Sequence, residues 1–347
     1  MKQLLSFLCS FMVGMSFVSQ AAEPTAPHSI HWLSNYEEAV NLSKSTSKPL
    51  VLFFTGSDWC GWCKKLEQES LDSSEFVRAA ADKFIFVKLD FPVNTTLPLQ
   101  LAAQNKQLQK KYSVRTFPTL IILDAHQTQI GVTGYRPGGG RAYADHLSKI
   151  IEDHSSYQRN IQSMDKQKYT SAQLKKLYET AQAFGYDNDI NHIIKVGMSS
   201  DDKQFFMIER YRLIANEGLL GTQEALNLKE QLTALDPKNK KMTHYHLALI
   251  DFEANCESSD KDKLTPERTA ASLIDYIEKF GAKDKEHLWT LQMIISQVYF
   301  DKNYLHEALE FAESSYTSAP PSAKIEISMA IKNIKSQIAN RETALNH

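Results

Sequence analysis

The sequence has few cysteines and little net charge. Its 347 residues include 4 cysteines, and the formal net charge is −2. A secreted scaffold held together by disulfides carries more cysteines, and a surface that binds nucleic acid carries an excess of Lys and Arg. We therefore expect neither a disulfide-rich scaffold nor a nucleic-acid partner. Hydrophobic residues at 42% and charged residues at 23% are typical of a globular protein, and the length suffices for two domains.

Long hydrophobic runs are also missing, apart from a short one at the N-terminus. Residues 4–18 are uncharged and largely apolar, follow Lys2, and precede the Ser-Gln-Ala segment at 19–21, which is the pattern of a secretory signal peptide. The run falls short of the roughly 20 residues that cross a bilayer. We predict that residues 1–21 are a signal peptide, removed together with Cys9, and that the protein is exported, in a bacterium to the periplasm. A retained membrane anchor is the alternative.

Three cysteines remain after this cleavage, and two of them form a Cys-Gly-Trp-Cys motif. Such a motif is a redox dithiol, one half of a zinc site, or a structural loop. A zinc site takes four ligands, but the sequence has no second motif of this kind, and His244 and His246 face different ways on a predicted helix. The redox interpretation of Cys60 and Cys63 is therefore favoured, and no metal is expected. Cys256 lies beside an acidic loop, which does not lower a thiol pKa, and is expected to be incidental.

The position of the motif supports redox chemistry. A continuous apolar run at 49–54 predicts a buried strand, and a helix is predicted to begin at about Cys60. Backbone N–H groups and the helix dipole at that end stabilise a thiolate and lower the pKa of its thiol. We therefore predict that Cys60 is the exposed nucleophile and that Cys63, one turn further in, resolves the mixed disulfide.

Three neighbours of the cysteines are expected to modify their reactivity. Trp59 precedes the first cysteine, and Gly61 and Trp62 separate the two. We expect Trp59 to shield the pair and the two intervening residues to tune its reduction potential. A plain packing role for Trp62 is the alternative.

Residues 30–155 are predicted to form an α/β domain. The order of its elements is α-β-α-β-α-β-β-α, which gives a small mixed sheet with helices on both faces. The predicted helices cover 31–45, 60–81, 107–112 and 143–154, the strands cover 49–54, 84–89, 119–124 and 129–132, and a long connection covers 90–105.

Residues 160–346 are predicted to be helical throughout, because helical runs separated by Gly, Pro and short polar breaks continue to the C-terminus. The predicted helices cover 171–184, 189–197, 202–216, 222–235, 241–256, 266–280, 285–300, 305–317 and 322–346. Small residues and a terminal proline fall at tetratricopeptide spacing at Ser296, Tyr299, Ala308, Ala312, Ser315 and Pro320. We predict an irregular array of helical hairpins that resembles tetratricopeptide repeats, with a plain helical bundle as the alternative.

Four segments of the first domain together resemble a known family. They read FFTGSDWCGWCKKL at 53–66, VKLDFP at 87–92, RTFPT at 115–119 and TGY at 133–135. The combination resembles the exported thioredoxin-like proteins of bacteria, in particular the DsbH-type periplasmic disulfide reductases. The resemblance covers roughly residues 30–153 and implies an α/β thioredoxin fold, followed here by the helical domain.

The resemblance also implies an activity, the reduction of disulfides in exported proteins by dithiol exchange at Cys60 and Cys63. The implied partners are exported proteins that carry disulfides and an upstream thiol reductant in the membrane, and no cofactor is implied beyond the disulfide of the pair. Isomerase and oxidase activities are alternatives, because a modest change in reduction potential reverses the flow of electrons. The alternative outside the enzymes is a binding protein with helical repeats, whose thioredoxin-like unit mainly docks partners.

A proline loop is a further site feature implied by the resemblance. Pro118 would be a cis-proline that faces the cysteines, and Phe117 would offer its backbone to an extended substrate segment. From the residues alone, Phe117 and Pro118 only begin a strand, which is a position that proline tolerates. The functional interpretation is the one we favour.

Two features depart from the thioredoxin pattern. Thioredoxin-like enzymes often bury an acid six residues before the first cysteine, as proton acceptor for the resolving thiol, and that position here is Phe54. Lys88 matches a lysine of many thioredoxins, but its acidic partner is missing, and Asp58 and Glu67 are the candidates to replace it. Trp62 stands where thioredoxin has proline, so the reduction potential of thioredoxin does not carry over.

Overall fold

The computed structural model describes residues 29–258 and 260–345. The predicted signal peptide at 1–21, with Cys9, lies outside these residues. The described residues divide into two compact units, with the boundary between Gln158 and Arg159. In the two described ranges, no helix is both long enough and apolar enough to cross a membrane.

A mixed sheet organises the first unit. Its described residues form five strands in the order β1-β3-β2-β4-β5. These are β1 (Trp32–Leu33), β2 (Leu50–Thr55), β3 (Ile85–Asp90), β4 (Thr119–Leu123) and β5 (Gln129–Thr133). Central β2 is buried along its whole length, parallel to β3 and antiparallel to β4. The apolar run at 49–54 is thus confirmed as a strand buried on both faces, and β4 and β5 pair as the expected antiparallel hairpin.

Helices cover both faces of this sheet. They are α1 (Tyr36–Thr46), α2 (Gly61–Leu66), α3 (Ser74–Ala80), α4 (Leu99–Lys111) and α5 (Gly139–Ser163). Residues of α2, α3 and α5 share one apolar cluster with both cysteines, and residues of α1 and α4 belong to a second cluster. Successive side chains of a strand point to opposite faces, so Phe53 joins the cysteine cluster and Phe54 joins the other.

The first element differs from the helix expected at 31–45. Trp32 and Leu33 form β1, which pairs in parallel with β3. The helix begins only at Tyr36, where the side chain of Asn35 caps it by accepting a hydrogen bond from the backbone N–H of Glu38. An edge strand of two residues is too short to show a period of its own, so the sequence does not distinguish it from the helix that follows.

The helix expected at 60–81 is divided. After α2 ends at Leu66, the chain continues as a π-helical turn, Glu67–Leu71. A new helix then starts after Ser73, whose hydroxyl accepts a hydrogen bond from the backbone N–H of Phe76. A π turn adds a residue per turn without interrupting the apolar pattern, so the sequence did not reveal the break.

Two further boundaries were placed wrongly. The connection expected at 90–105 contains the first turns of α4, which begins at Leu99 and not at residue 107. Only Asn105 and Leu108 of this helix are buried, so its early turns show no apolar period. α5 also extends beyond the expected 143–154 at both ends.

The second unit is helical in its described residues, as the sequence predicts. Its helices are α6 (Ser171–Phe184), α7 (Asp187–Gly197), α8 (Lys203–Asn216), α9 (Gln223–Leu235), α10 (Thr243–Glu257), α11 (Pro266–Phe280), α12 (Leu288–Asp301), α13 (Leu305–Ser318) and α14 (Lys324–Leu345). The bounds of α6 and α11 agree with the predicted ones, and the others differ by at most 3 residues. The resemblance of this unit to tetratricopeptide repeats stays a prediction.

Candidate active site

Cys60 and Cys63 form a disulfide at the start of α2. Their Cα atoms are 5.3 Å apart, and Cys60 is the N-cap residue of the helix. The backbone N–H of Cys63 donates a hydrogen bond to the Sγ of Cys60 at 3.2 Å. A donor at this position stabilises negative charge on Cys60 once the disulfide is reduced. The sequence predicted this placement at the start of a helix.

Cys60 is predicted to be exposed, but it is buried in this disulfide-bonded form, so that prediction is wrong. Cys60 is 5% exposed and Cys63 is 1% exposed. The order of exposure is as expected, but both side chains lie in the apolar cluster of the first unit.

Trp59 is fixed between two loops beside the disulfide. Its indole Nε1–H donates to the backbone oxygen of Phe91 at 2.8 Å, and its ring meets the Phe117 ring edge-on at 5.7 Å between centroids. A Cβ on Gly56 would lie 2.4 Å from the Trp59 ring. Only glycine fits there, and the sequence reasoning missed this residue, although it stands within the motif that carries the resemblance.

Trp62 belongs to an exposed cluster with Tyr135 and Lys65. Its side chain is 58% exposed, and its ring lies 5.0 Å from that of Tyr135. The Nζ of Lys65 stands over both rings, at 5.1 Å from Trp62 and 5.2 Å from Tyr135. The Tyr135 hydroxyl donates to Glu69 at 2.6 Å, which raises the pKa of Tyr135. The exposure of Trp62 argues against a plain packing role. Gly61, between the two cysteines, has open space around it.

The peptide bond between Phe117 and Pro118 is cis, as the resemblance implied. The Phe117 ring packs between Trp59 and Phe91. The backbone oxygen of Pro118 comes so close to Gly134 that a Cβ there would lie 3.0 Å from it. The role of Pro118 in exchange and the presentation of the Phe117 backbone to a substrate stay predictions.

Lys88 has an acidic partner after all. Its Nζ lies 2.7 Å from the Oε1 of Glu67, and both side chains are partly exposed. Glu67 follows Cys63 by four residues, and at this spacing side chains lie on the same side of a helix. Of the two candidates for the missing acid, the structure therefore pairs Glu67 with Lys88.

The β2 position six residues before Cys60 points away from the cysteine pair. Phe54 packs on the face opposite the cysteines, where its ring stacks with Phe91. Phe53 is the β2 residue in the cysteine cluster, and it stands in register with Lys88 of the neighbouring strand. Neighbouring side chains of a strand point to opposite faces, so a residue six positions before Cys60 lies away from the pair and a residue seven positions before it lies on the same face as the pair.

Asp58 holds a neighbouring loop. Its carboxylate accepts hydrogen bonds from the backbone N–H groups of Val93, at 3.0 Å, and Asn94, at 2.6 Å. These bonds lower the pKa of Asp58, and the bond from Val93 has the largest effect. Asp90 holds the loop before the motif. Its carboxylate accepts hydrogen bonds from the backbone N–H and the hydroxyl of Ser57. Asp90 and Ser57 stand in segments that carry the resemblance, but their spacing in the sequence predicts no contact between them.

Cys256 is distant from these residues in the sequence and belongs to the second unit. It is a free, partly buried thiol, and burial raises its pKa, with Glu253 and Glu257 adding to the effect. The expectation that its surroundings do not lower the thiol pKa is confirmed. Throughout the described residues, no group of three or more His, Cys, Asp or Glu side chains is placed to hold a metal ion.

Comparison with known proteins identifies relatives of both parts of the chain. A thioredoxin-like domain model matches residues 36–149. The chain is 31% identical to the thioredoxin-related protein DsbJ of Chlamydia pneumoniae over 340 residues, which are 96% of each chain. It is 39% identical to the disulfide bond reductase DsbH of Chlamydia pneumoniae over 133 residues, 38% of this chain and 80% of that one. The solved structure of a DsbH oxidoreductase is similar with a TM-score of 0.36 and 38% identity, over 39% of this chain and 92% of that one.

The domain-model match and the match to DsbJ agree with the geometry. The domain model covers β2 to β5, the cysteine pair and the cis-proline loop, so the first unit has the thioredoxin fold. The match to DsbJ extends through the helical unit as well. The chain therefore belongs to the thioredoxin-like DsbH and DsbJ family of thiol–disulfide oxidoreductases.

Proposed function

We propose that this protein is a periplasmic reductase of disulfides in exported proteins. The observation that carries the proposal is the backbone N–H of Cys63 that points at the Sγ of Cys60. The name of the relative DsbH, a disulfide bond reductase, supports the direction of electron flow. The signal-peptide pattern at 1–21 supports export.

The reaction begins from the reduced pair. The thiolate of Cys60 attacks one sulfur of a substrate disulfide, a mixed disulfide forms, and the other substrate sulfur leaves as a thiolate. The thiol of Cys63 then loses its proton and attacks the Sγ of Cys60. The second substrate sulfur leaves, so the substrate gains two electrons and takes up two protons, and the enzyme keeps the Cys60–Cys63 disulfide. An upstream thiol reductant in the membrane returns two electrons to the pair.

Glu67 is the group that we propose to accept the proton of Cys63. It is a carboxylate four residues along the same helical segment, and its Oε1 lies 2.7 Å from the Nζ of Lys88. Asp58 is less suited to this role, because its carboxylate is occupied by the backbone N–H groups of Val93 and Asn94.

The direction of electron flow is tested by the reduction potential of the pair against glutathione. A reductase requires a potential near those of thioredoxin and the glutaredoxins, roughly −200 to −270 mV. A value near about −120 mV, as in a strong oxidant, would contradict the reductase assignment and support an oxidase.

A further inference from the structure

The central strand β2 ends in a buried hydroxyl group. Thr55 is fully buried, and among the described residues its Oγ1 has no hydrogen-bond partner. A buried hydroxyl without a partner costs free energy, which a valine of the same shape would avoid. A threonine at this position is therefore explained if its hydroxyl gains a partner in another state of the protein.

The side chain of Thr55 lies on the face of the sheet that carries the cysteines. Phe53 belongs to the apolar cluster that contains Cys60 and Cys63, and residues two apart on a strand point to the same face. The chain turns back toward the active site directly after Thr55, where the backbone oxygen of Gly56 accepts from the N–H of Cys60 at 2.8 Å. The buried hydroxyl and the cysteine pair are thus on the same side of β2 and at the same end of it.

The neighbouring strand β4 brings the cis-proline loop to the same place. Phe54 pairs with Thr119 in the antiparallel register of β2 and β4. The next residue on each strand therefore sets Thr55 opposite Pro118. Thr55 stands where the central strand, the cis-proline loop and the loop before the cysteines meet.

The polar groups beside Thr55 on β3 have other partners. Asp90 is the register partner of Thr55, and its carboxylate accepts from the backbone N–H groups of Ser57 and Phe91 and from the Ser57 hydroxyl. The backbone oxygen of Thr55 accepts from the N–H of Phe91 at 2.9 Å. These bonds hold the backbone of Thr55 in place and leave its hydroxyl unused.

Reduction of the disulfide creates partners for a hydroxyl at this end of the strand. A disulfide sulfur carries no hydrogen, whereas a thiol donates from its S–H and a thiolate is a charged acceptor. The sulfur of Cys60 already accepts from the backbone N–H of Cys63, and Cys63 is the more deeply buried of the two. The inner sulfur is therefore the one for a buried hydroxyl to serve.

We infer that the Thr55 hydroxyl hydrogen-bonds to the sulfur of Cys63 in the reduced enzyme, accepting from its thiol and donating to its thiolate. This bond stabilises the reduced pair relative to the disulfide. It also stabilises the Cys63 thiolate that attacks the mixed disulfide. The inference rests on the proposed exchange at Cys60 and Cys63, but not on the direction of electron flow.

The test is the redox equilibrium of the mature Thr55→Val variant with reduced and oxidised glutathione. In this equilibrium two glutathione thiols give up two electrons and two protons and form one disulfide, while the S–S bond of the pair breaks and its two sulfurs take up those electrons and protons. Without the hydroxyl, we expect the equilibrium to move about tenfold toward the disulfide of the enzyme, which is a potential about 30 mV more negative. Thr55→Ser keeps a hydroxyl and is expected to lie close to the wild type.

Ser70→Ala is the matched control. Ser70 is also fully buried, and its Oγ lacks a hydrogen-bond partner among the described residues, but it belongs to the π-helical turn beyond the active-site helix. Its replacement is expected to leave the equilibrium unchanged. An unchanged equilibrium in Thr55→Val with native circular dichroism, an equal shift in Ser70→Ala, or a shift in Thr55→Ser as large as that in Thr55→Val would each overturn the inference.

A second measurement separates this role from plain packing. In single-turnover experiments Thr55→Val is expected to form the mixed disulfide through Cys60 at the normal rate and to resolve it through Cys63 several-fold more slowly. Equal losses in both steps would indicate a packing defect and overturn the inference.

The proposed reductase direction is read from the potential of the wild type, whereas the role of Thr55 is read from the difference between variants. An oxidising wild-type potential with the expected tenfold difference would defeat the proposed direction and leave the role of Thr55 standing. A reducing wild-type potential without that difference would defeat only the role of Thr55. A cysteine pair that does not exchange with glutathione would defeat both.

Discussion

The Nζ of Lys88 lies 2.7 Å from the Oε1 of Glu67. This ion pair connects strand β3 to the π-helical turn that follows α2, the helix that carries Cys63. Glu67 stands four residues after the resolving cysteine, so the pair places a carboxylate on the side of the helix that bears Cys63.

Replacing Glu67 by Gln keeps the shape of the side chain and removes its charge. We expect Cys60 to form the mixed disulfide at the normal rate, and Cys63 to resolve it at least about tenfold more slowly, because general base catalysis is lost. The resolution rate should also recover as the pH rises, since the thiol can then lose its proton to solvent. Single-turnover experiments with acid quenching separate the two steps.

Glu69→Gln is the control for this prediction. Glu69 is an exposed carboxylate of the same turn, bonded to Tyr135 and not to Lys88. Its replacement should leave the resolution rate and its pH profile unchanged. Equal resolution rates in Glu67→Gln and the wild type would exclude Glu67 as the proton acceptor.

Gly56→Ala is expected to displace the indole of Trp59. A Cβ at this position lies 2.4 Å from the Trp59 ring, whereas a Cβ on Gly61 meets no other atom within 4 Å. The displaced indole would lose its bond to the Phe91 backbone oxygen, and overpacking of this kind costs about 1–3 kcal/mol. The Trp59 Nε1–H signal in NMR should shift and exchange faster in Gly56→Ala but not in Gly61→Ala. An unmoved signal in Gly56→Ala would disprove the close packing.

Trp62→Ala should affect the use of substrates more than stability. The side chain is 58% exposed, and exposed substitutions usually change the free energy of unfolding by less than about 0.5 kcal/mol. We expect kcat/KM for a disulfide-bonded protein such as insulin to fall several-fold, while exchange with oxidised glutathione changes little. A clear loss of stability in urea unfolding, with unchanged kcat/KM, would support the packing role instead.

Several parts of the fold are encoded locally and were predicted from the sequence. The apolar run at 49–54 is a buried strand, and most helices of the second unit begin and end where Gly, Pro or capping residues indicate. Strand β1 and the pairing of Lys88 with Glu67 depend on contacts between segments that are distant in the sequence. No local period reveals such contacts.

The direction of the side chain at the acid position is set by the sheet. The spacing from Cys60 pointed to Phe54, but the direction of a strand side chain depends on the register of the whole strand. Only the sheet shows that Phe53 faces the cysteines and Phe54 faces α1 and α4. The cysteine pair itself was predicted correctly, because strand, loop and helix start are all local signals.

Cys256 should react slowly with alkylating reagents. Burial raises its pKa above the ordinary 9.0, so the protonated, unreactive thiol persists to a higher pH than in an exposed cysteine. In the oxidised mature protein we expect iodoacetamide to label Cys256 more slowly than a free cysteine at pH values below about 9, and to label it faster as the pH rises further. Mass spectrometry measures the rate. Rapid labelling at neutral pH, or loss of activity in Cys256→Ser, would contradict an incidental role.

The most direct test of thiol–disulfide exchange at this site is trapping with Cys63→Ala, in a Cys256→Ser background that leaves Cys60 as the single cysteine of the mature chain. Without the resolving thiol, the mixed disulfide between Cys60 and a disulfide-bonded protein cannot be released. We predict that this variant accumulates a covalent complex with insulin, which is detected on a non-reducing gel. Treatment of the sample with dithiothreitol should cleave the complex, and a further Cys60→Ala change should abolish it. Absence of any complex with the folded Cys63→Ala variant would contradict the assignment of Cys60 as the nucleophile.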